Sequence, residues 1–311
     1  MSPGSDRQEH TPSPLTGRVV VVTGASDGVG KAAVRGFVQQ GAQVVMVGRN
    51  EAKTAAAARA IMSDCGSRAV SWEIADLSDP DAVGELAERL LVSHPRVHLL
   101  VNNAGAMFLE RELTRAGFER TFALNHLSYV QLGVRLLPAL FAAAVPGDPS
   151  RLINVASRAH ENAKPDLDDL QGARAYGGWR AYANSKLFNL WFTRALAARV
   201  DAARLSVQAV HPGVVSTRFA TNNGRLGRVL RRVMDLNSVT PEQGADTVLW
   251  LATAPEALAN PGGYWVRRRL TTPSRLARDS AMSEQLWART GALLHLDLDA
   301  MVHAASAAVV P

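Results

Sequence analysis

Near the start of the chain a run of valines meets a glycine-punctuated turn: Val19-Val20-Val21-Val22-Thr23-Gly24-Ala25-Ser26-Asp27-Gly28-Val29-Gly30. The β-branched run predicts a buried strand over Arg18–Thr23, and the residues from Val29 to Gln40 have helical spacing. Glycines at such a junction let the chain turn without a Cβ, let a phosphate reach the main chain, and let the helix pack tightly on the strand. The helix N-terminus then stabilises negative charge. Strand, glycines and helix in that order predict a dinucleotide cradle built from Gly24, Ser26, Asp27, Gly28, Val29 and Gly30, and therefore an α/β fold.

The remaining pattern agrees. Short apolar segments at Gln43–Val47, Val97–Asn102, Leu152–Val155 and Ser206–Val210 alternate with helical stretches at Glu51–Ser63, Pro80–Ser93, Ala181–Val200 and Thr240–Ala252. Asp79 is the expected N-cap ahead of Pro80. This alternation predicts one Rossmann-type domain, a doubly wound parallel sheet with helices on both faces. A chain of 311 residues, 47% of them hydrophobic, is long enough to bury such a core. The polar segment Met1–Thr16 reads as a disordered tail, so the domain is expected over residues 17–311, ending in a C-terminal extension.

Two segments interrupt the rhythm, Arg158–Trp179 and Ser216–Asn237, and both follow strands, where ligands sit in open α/β sheets. In the second, Arg225, Arg228, Arg231 and Arg232 interleave with Leu226, Val229, Leu230 and Val233. That pattern suits a solvated surface helix first, then a substrate lid over residues 216–237, with membrane-surface contact as a minor alternative. The net charge of +6 is spread along the chain without a nucleic-acid-binding module, so acidic small ligands, not nucleic acid, are the expected consequence. The single cysteine, Cys65, excludes an internal disulfide framework, and no apolar run approaches the roughly 20 residues of a membrane span. A cytoplasmic protein is expected. His126, His160 and His211 lack the spacing of a zinc site, so no metal is expected either.

A dinucleotide fold that prefers NAD usually carries an acid about 20 residues beyond the glycine turn, to bind the adenosine ribose. Here Gly48 and Arg49 stand there. An arginine fork suits a 2′-phosphate, which favours NADP(H) over NAD(H), although Asp27 brings an opposing charge into the same turn.

Tyr182 and Lys186 stand four apart in Ala181-Tyr182-Ala183-Asn184-Ser185-Lys186-Leu187, on one helix face. A nearby ammonium is expected to ease ionisation of the phenol and make Tyr182 a proton donor or acceptor. Ser157 follows the strand Leu152–Val155 and should emerge at the carboxyl edge of the sheet, where its hydroxyl can bond a substrate oxygen. Asn102-Asn103-Ala104-Gly105, at another strand end, and Asn125, in a helix-like segment, add polar groups to the same half.

Together these motifs resemble the short-chain dehydrogenase/reductase family from about Gly17 to His295. The resemblance implies a pyrophosphate site at Gly24, Ser26, Gly28, Val29 and Gly30, adenine contacts from Asp76 and Leu77, and a groove lined by Asn103, Ala104 and Gly105. It implies Ser157, Tyr182 and Lys186 as catalytic residues, with Lys186 also on the nicotinamide ribose and Asn125 completing a water-mediated proton relay. Pro212-Gly213-Val214-Val215-Ser216-Thr217 resembles the segment that holds the carboxamide, through Val215 and Thr217. Asn125-His126-Leu127, Ser157-Arg158-Ala159-His160, Asp168-Asp169-Leu170 and Leu286-Trp287 are similar to the retinol-dehydrogenase-like branch. The implied activity interconverts an apolar ketone or aldehyde with its alcohol. The rival is a non-catalytic NAD(P)-sensing protein on the same fold, which would be free to lose one of Ser157, Tyr182 and Lys186. The resemblance also admits a homodimer, with Trp191 and Phe192 facing either a partner or the core.

Overall fold

In the first strand, β1 (Val19–Thr23), side chains alternate between the faces of the sheet. Val20 and Val22 join an apolar cluster with Val34 and Phe37 of α1 (Gly28–Gln39). Val21 faces the opposite cluster, with Leu86 and Leu90 of α3 (Pro80–Ser93). A strand buried on both sides has to be apolar throughout, which is why valines run together here. The computed structural model describes residues 13–213 and 239–308.

Further along come β2 (Gln43–Gly48), α2 (Glu51–Cys65), β3 (Val70–Ile74) and β4 (Leu99–Asn102). The chain then runs through the short α4 (Arg120–Phe122), a π turn at Ala123–Leu127, α5 (Ser128–Arg135) and α6 (Leu137–Ala143). It continues into β5 (Ser150–Val155), the long α7 (Gly178–Ala197), β6 (Leu205–His211) and α8 (Pro241–Leu251). The end comprises β7 (Tyr264–Val266), β8 (Arg269–Leu270), α9 (Ser280–Leu294) and α10 (Leu298–Ala307). The sheet order is β3-β2-β1-β4-β5-β6-β7-β8, and only the β7–β8 pairing is antiparallel. Strand order reverses between β1 and β4, which puts the ligand crevice of such a sheet at their carboxyl ends.

Three strands escape the sequence reading, each for a physical reason. In β3, Ser71 and Glu73 break the apolar run because the strand lies at the sheet edge and is only partly covered. With three and two residues, β7 and β8 are too short to show a period. The packed chain also begins ahead of the expected start at Gly17: Leu15 is buried, and its N–H bonds the Gln40 carbonyl at 3.0 Å. Asp79 caps α3 as expected, accepting from the Asp81 N–H at 3.1 Å. Trp191 and Phe192 face the core, and the Trp191 indole donates to the Leu276 carbonyl at 2.9 Å.

On one face α1 packs closely against α8. A Cβ at Gly36 would stand 2.5 Å from the Leu249 side chain. Gly36→Val should therefore destabilise the protein by roughly 1–3 kcal/mol through overpacking, and adding Leu249→Ala should recover part of that loss. Thermal or denaturant unfolding of the single and double variants measures both effects.

Candidate active site

One cleft of about 1410 Å³ runs along the carboxyl ends of the strands. The candidate residues Gly24, Ser26, Asp27, Gly28, Val29, Gly30, Arg49, Asp76, Leu77, Asn103, Ala104, Gly105, Ser157, Tyr182 and Lys186 all line it. Val215, Thr217 and the expected lid over residues 216–237 lie outside the described residues.

At the nucleotide end the glycines are dictated by close approach. Gly24 has φ +63°, and a Cβ there would fall 2.8 Å from Ala104 Cα. A Cβ on Gly30 would fall 2.5 Å from both Asn103 Nδ2 and the Gly24 carbonyl. These glycines are required by the tight packing of the turn against the end of β4, and with Gly28 they put the start of α1 on the cleft lining, where main-chain N–H groups suit a pyrophosphate. Asp27 caps that helix, accepting from the Gly28 N–H at 2.9 Å. Asp76 is tied down by Ser78, which donates both its N–H and its hydroxyl to Oδ1, at 3.0 and 2.8 Å.

Two features beyond the sequence reading shape the cleft around Gly48 and Arg49, where the sequence places an adenosine ribose. A Cβ on Gly48 would lie 2.2 Å from Thr54 Oγ1, so an acidic side chain has no room at that position. Lys53 reaches across from α2 to Asp27, Nζ to Oδ2 at 2.9 Å, and also lines the cleft. The charge of Asp27 is thus matched, and Arg49 is exposed on the lining of the same cleft. Lys53 lies in the first turn of α2, whereas Asp27 stands 26 positions earlier in the glycine turn, so no spacing along the chain reveals the pair.

At the other end, β5 delivers Ser157 to the sheet edge and α7 supplies Tyr182 and Lys186. The Ser157 hydroxyl bonds the Tyr182 phenol. Ser157 Oγ also accepts from the Ala159 N–H at 3.2 Å, which leaves its own hydrogen free to donate. Lys186 is 3% exposed; Nζ donates to the Val155 carbonyl at 3.0 Å and lies 5.6 Å from the Tyr182 ring centre. The expected easing of Tyr182 ionisation by Lys186 does not dominate. Burial raises the Tyr182 phenol to about 12, against the opposing Ser157 bond, and lowers Lys186 to about 7. Both groups have left water, and for each the loss of hydration around the charged form is the largest cause of the shift.

Asn125 sits in the π turn, fully buried. Its amide donates to the Ala106 carbonyl at 2.9 Å and to Ser185 Oγ at 3.0 Å, while Oδ1 accepts from the Ala106 N–H at 2.9 Å. Both amide hydrogens are used, so any water at this residue must be held by its oxygens. Asn102 and Asn103 are structural clamps: Asn102 bonds Asn154 at 3.0 Å, and Asn103 donates to the Thr23 carbonyl at 2.8 Å.

Phe108, Leu124, Trp179 and Val266, none of them singled out from the sequence, also line the cleft, alongside Arg120, Arg158, Arg267 and Arg268. Trp179 is half exposed, with its ring 5.9 Å from that of Tyr182. It precedes Tyr182 by three residues, a spacing that places it on the same helix face. The histidines are dispersed. His126 packs between Phe122 and Phe188 and lies 3.1 Å from Thr290 Oγ1, and burial lowers it to about 3. His211 lines the cleft, lowered to about 4 by burial and then by Arg158.

The short chain dehydrogenase family model matches residues 18–225. The chain belongs to that family. Mouse retinol dehydrogenase 12 is 37% identical over 273 residues, spanning 88% of this chain and 85% of the relative. Mouse polyprenol dehydrogenase is 36% identical over 281 residues, spanning 88% and 83%. Among solved structures, the Pseudomonas aeruginosa RhlG/NADP active-site complex superposes with a TM-score of 0.65 at 26% identity, covering 82% of this chain and 96% of that one. The protein is a nicotinamide-dependent oxidoreductase of the retinol-dehydrogenase-like branch. No described helix is long and apolar enough to cross a membrane.

The buried lysine sets a stability test with a definite sign. Below about pH 7 Lys186 is charged in the folded and the unfolded chain, and the folded state bears the full burial penalty. As pH rises toward the unfolded value the penalty shrinks, because the folded chain holds a neutral amine. Lys186→Met should therefore raise the thermal midpoint, by more at pH 6 than at pH 9, as scanning calorimetry can check.

Proposed function

We propose that the protein is an NADP(H)-dependent carbonyl reductase and alcohol dehydrogenase for apolar small molecules, with Tyr182 as general acid and base. The observation carrying this reading is the convergence of Ser157, Tyr182 and Lys186 beside a bare glycine cradle in one cleft. A sensor would have no need to keep all three, which favours the enzyme over a binding protein.

When bound, the cofactor supplies or accepts the hydride. The chain's own contribution begins with two hydroxyl donors, Ser157 and Tyr182, for a substrate carbonyl oxygen. With its phenol raised to about 12, Tyr182 stays protonated at neutral pH, the form needed to deliver a proton in reduction. Lys186 spends one N–H on the Val155 carbonyl and keeps two for the nicotinamide ribose and a relay toward the oxygens of Asn125. Alcohol oxidation reverses these transfers and needs the phenolate, which a charged Lys186 favours.

Three features support NADP(H): the bar to an acid at Gly48, the exposed Arg49, and Lys53 neutralising Asp27. The apolar wall of Phe108, Leu124, Trp179 and Val266 supports an apolar substrate, as do relatives named for retinol and polyprenol.

Fluorescence titration with NADPH and NADH, followed by a panel of apolar aldehydes and ketones, tests the whole reading. Tighter NADPH binding with oxidation on some carbonyl is expected; failure to bind either cofactor sinks it. Tyr182→Phe should leave NADPH affinity nearly unchanged and lower turnover by at least ~10². Arg49→Ala should weaken NADPH far more than NADH, and equal losses would remove the 2′-phosphate role.

A further inference from the structure

Ser157 has to present its hydroxyl to Tyr182 from a loop, and a loop alone does not hold a main chain still. Its carbonyl is gripped twice by one residue: it accepts from the His160 N–H at 3.1 Å and lies 2.7 Å from His160 Nδ1. A carbonyl oxygen only accepts, so Nδ1 carries the proton. At the far side of the same ring, His160 Nε2 accepts from the Ser274 N–H at 3.2 Å, so Nε2 is bare. Two bonds with opposite demands thus fix one neutral tautomer. The ring is 1% exposed, edge-on to Tyr264 at 5.3 Å, and burial lowers its pKa, in keeping with the neutral form.

Ser274 in turn belongs to a segment that also grips the helix bearing Tyr182. Its hydroxyl accepts from the Ala277 N–H at 3.3 Å, shaping the turn Leu276–Arg278. The Leu276 carbonyl accepts the Trp191 indole N–H at 2.9 Å, and Ser283 Oγ donates to the Trp191 carbonyl at 2.9 Å. Trp191 lies on α7 with Tyr182 and Lys186. The C-terminal segment therefore touches both halves of the candidate catalytic pair, Ser157 through His160 and Tyr182 through α7.

We infer that His160 is a positioning residue: its neutral imidazole ties the Ser157 main chain to the C-terminal segment at Ser274, and so holds the Ser157 hydroxyl in register with Tyr182. The inference rests on Ser157 and Tyr182 acting on a carbonyl, as proposed above. It gives the C-terminal segment, remote from the glycine cradle, a part in the geometry of the proton-transferring groups, and it needs no contact between His160 and substrate.

The two ends of the ring can be separated by substitution. Asparagine places an amide where Nδ1 stands and keeps a donor for the Ser157 carbonyl; glutamine reaches the Nε2 position and keeps an acceptor for Ser274. In the full-length protein His160→Gln and His160→Asn each cut the bridge at one end, and each should lower kcat by roughly ten-fold, with KM and NADPH affinity little changed. Amide hydrogen exchange at Ser274 should separate them, protected in His160→Gln and exposed in His160→Asn. Wild-type kcat in either variant, or loss of Ser274 protection in both, overturns the inference, because a cut bridge lowers kcat while leaving the uncut end in place, and general loosening exposes Ser274 in both. If neither variant folds, 15N NMR of the wild-type ring decides: a proton on Nδ1 and none on Nε2 is expected, and a protonated Nε2 overturns the bridge. The exchange and NMR arms need no substrate. A wild-type protein inert toward every carbonyl would therefore remove the proposed function while those arms still judge the bridge.

Discussion

A single buried hydroxyl, Thr23 Oγ1, accepts the Asn103 and Ala104 main-chain N–H groups at 2.8 and 3.0 Å. Asn103 returns the contact, donating its amide to the Thr23 carbonyl at 2.8 Å. These bonds knot the ends of β1 and β4 together at the point where strand order reverses. Thr23 is buried, so opening the knot would leave its hydroxyl without these partners. Everything that makes the crevice usable depends on it: the close approach of Gly24 to Ala104, the bare start of α1, and the distance from the glycine turn to the groups delivered by β5 and α7.

From this junction the cleft runs past glycines and other small residues, with Lys53 and Asp27 paired and Arg49 also on its lining, and on to Phe108, Leu124, Trp179 and Val266, among which Arg120, Arg158, Arg267 and Arg268 also stand. Tyr182 and Lys186 are buried in it, and burial moves their pKa values toward the neutral forms. A pocket of this kind resists charge until a ligand supplies it, so its protonation states belong to the complex more than to the free protein.

Much of this was legible in one dimension. The valine run and the glycines marked the cradle because both demands, burial on two faces and absence of a Cβ, act on consecutive residues. Tyr182, Lys186 and Ser157 were legible through helical spacing and a strand end. Edge strand β3 was missed because half-covered positions tolerate Ser71 and Glu73, and β7 and β8 because three residues carry no period. Trp179 was missed although it stands one helical turn from Tyr182, and Lys53 because its partner Asp27 lies 26 positions away in the chain.

What the sequence determined by itself was whatever depends on neighbours along the chain: the strand-turn-helix cradle, the order of elements, and the shared face of Tyr182 and Lys186. Only the tertiary structure decided what depends on residues far apart in the chain. Thr54 closing the space beside Gly48, Lys53 reaching Asp27, and Ser274 meeting His160 from 114 positions away all arise from packing distant segments. Likewise, burial, not the spacing of Tyr182 and Lys186, sets the direction of both pKa shifts, because the loss of water around a charge is a property of the whole fold.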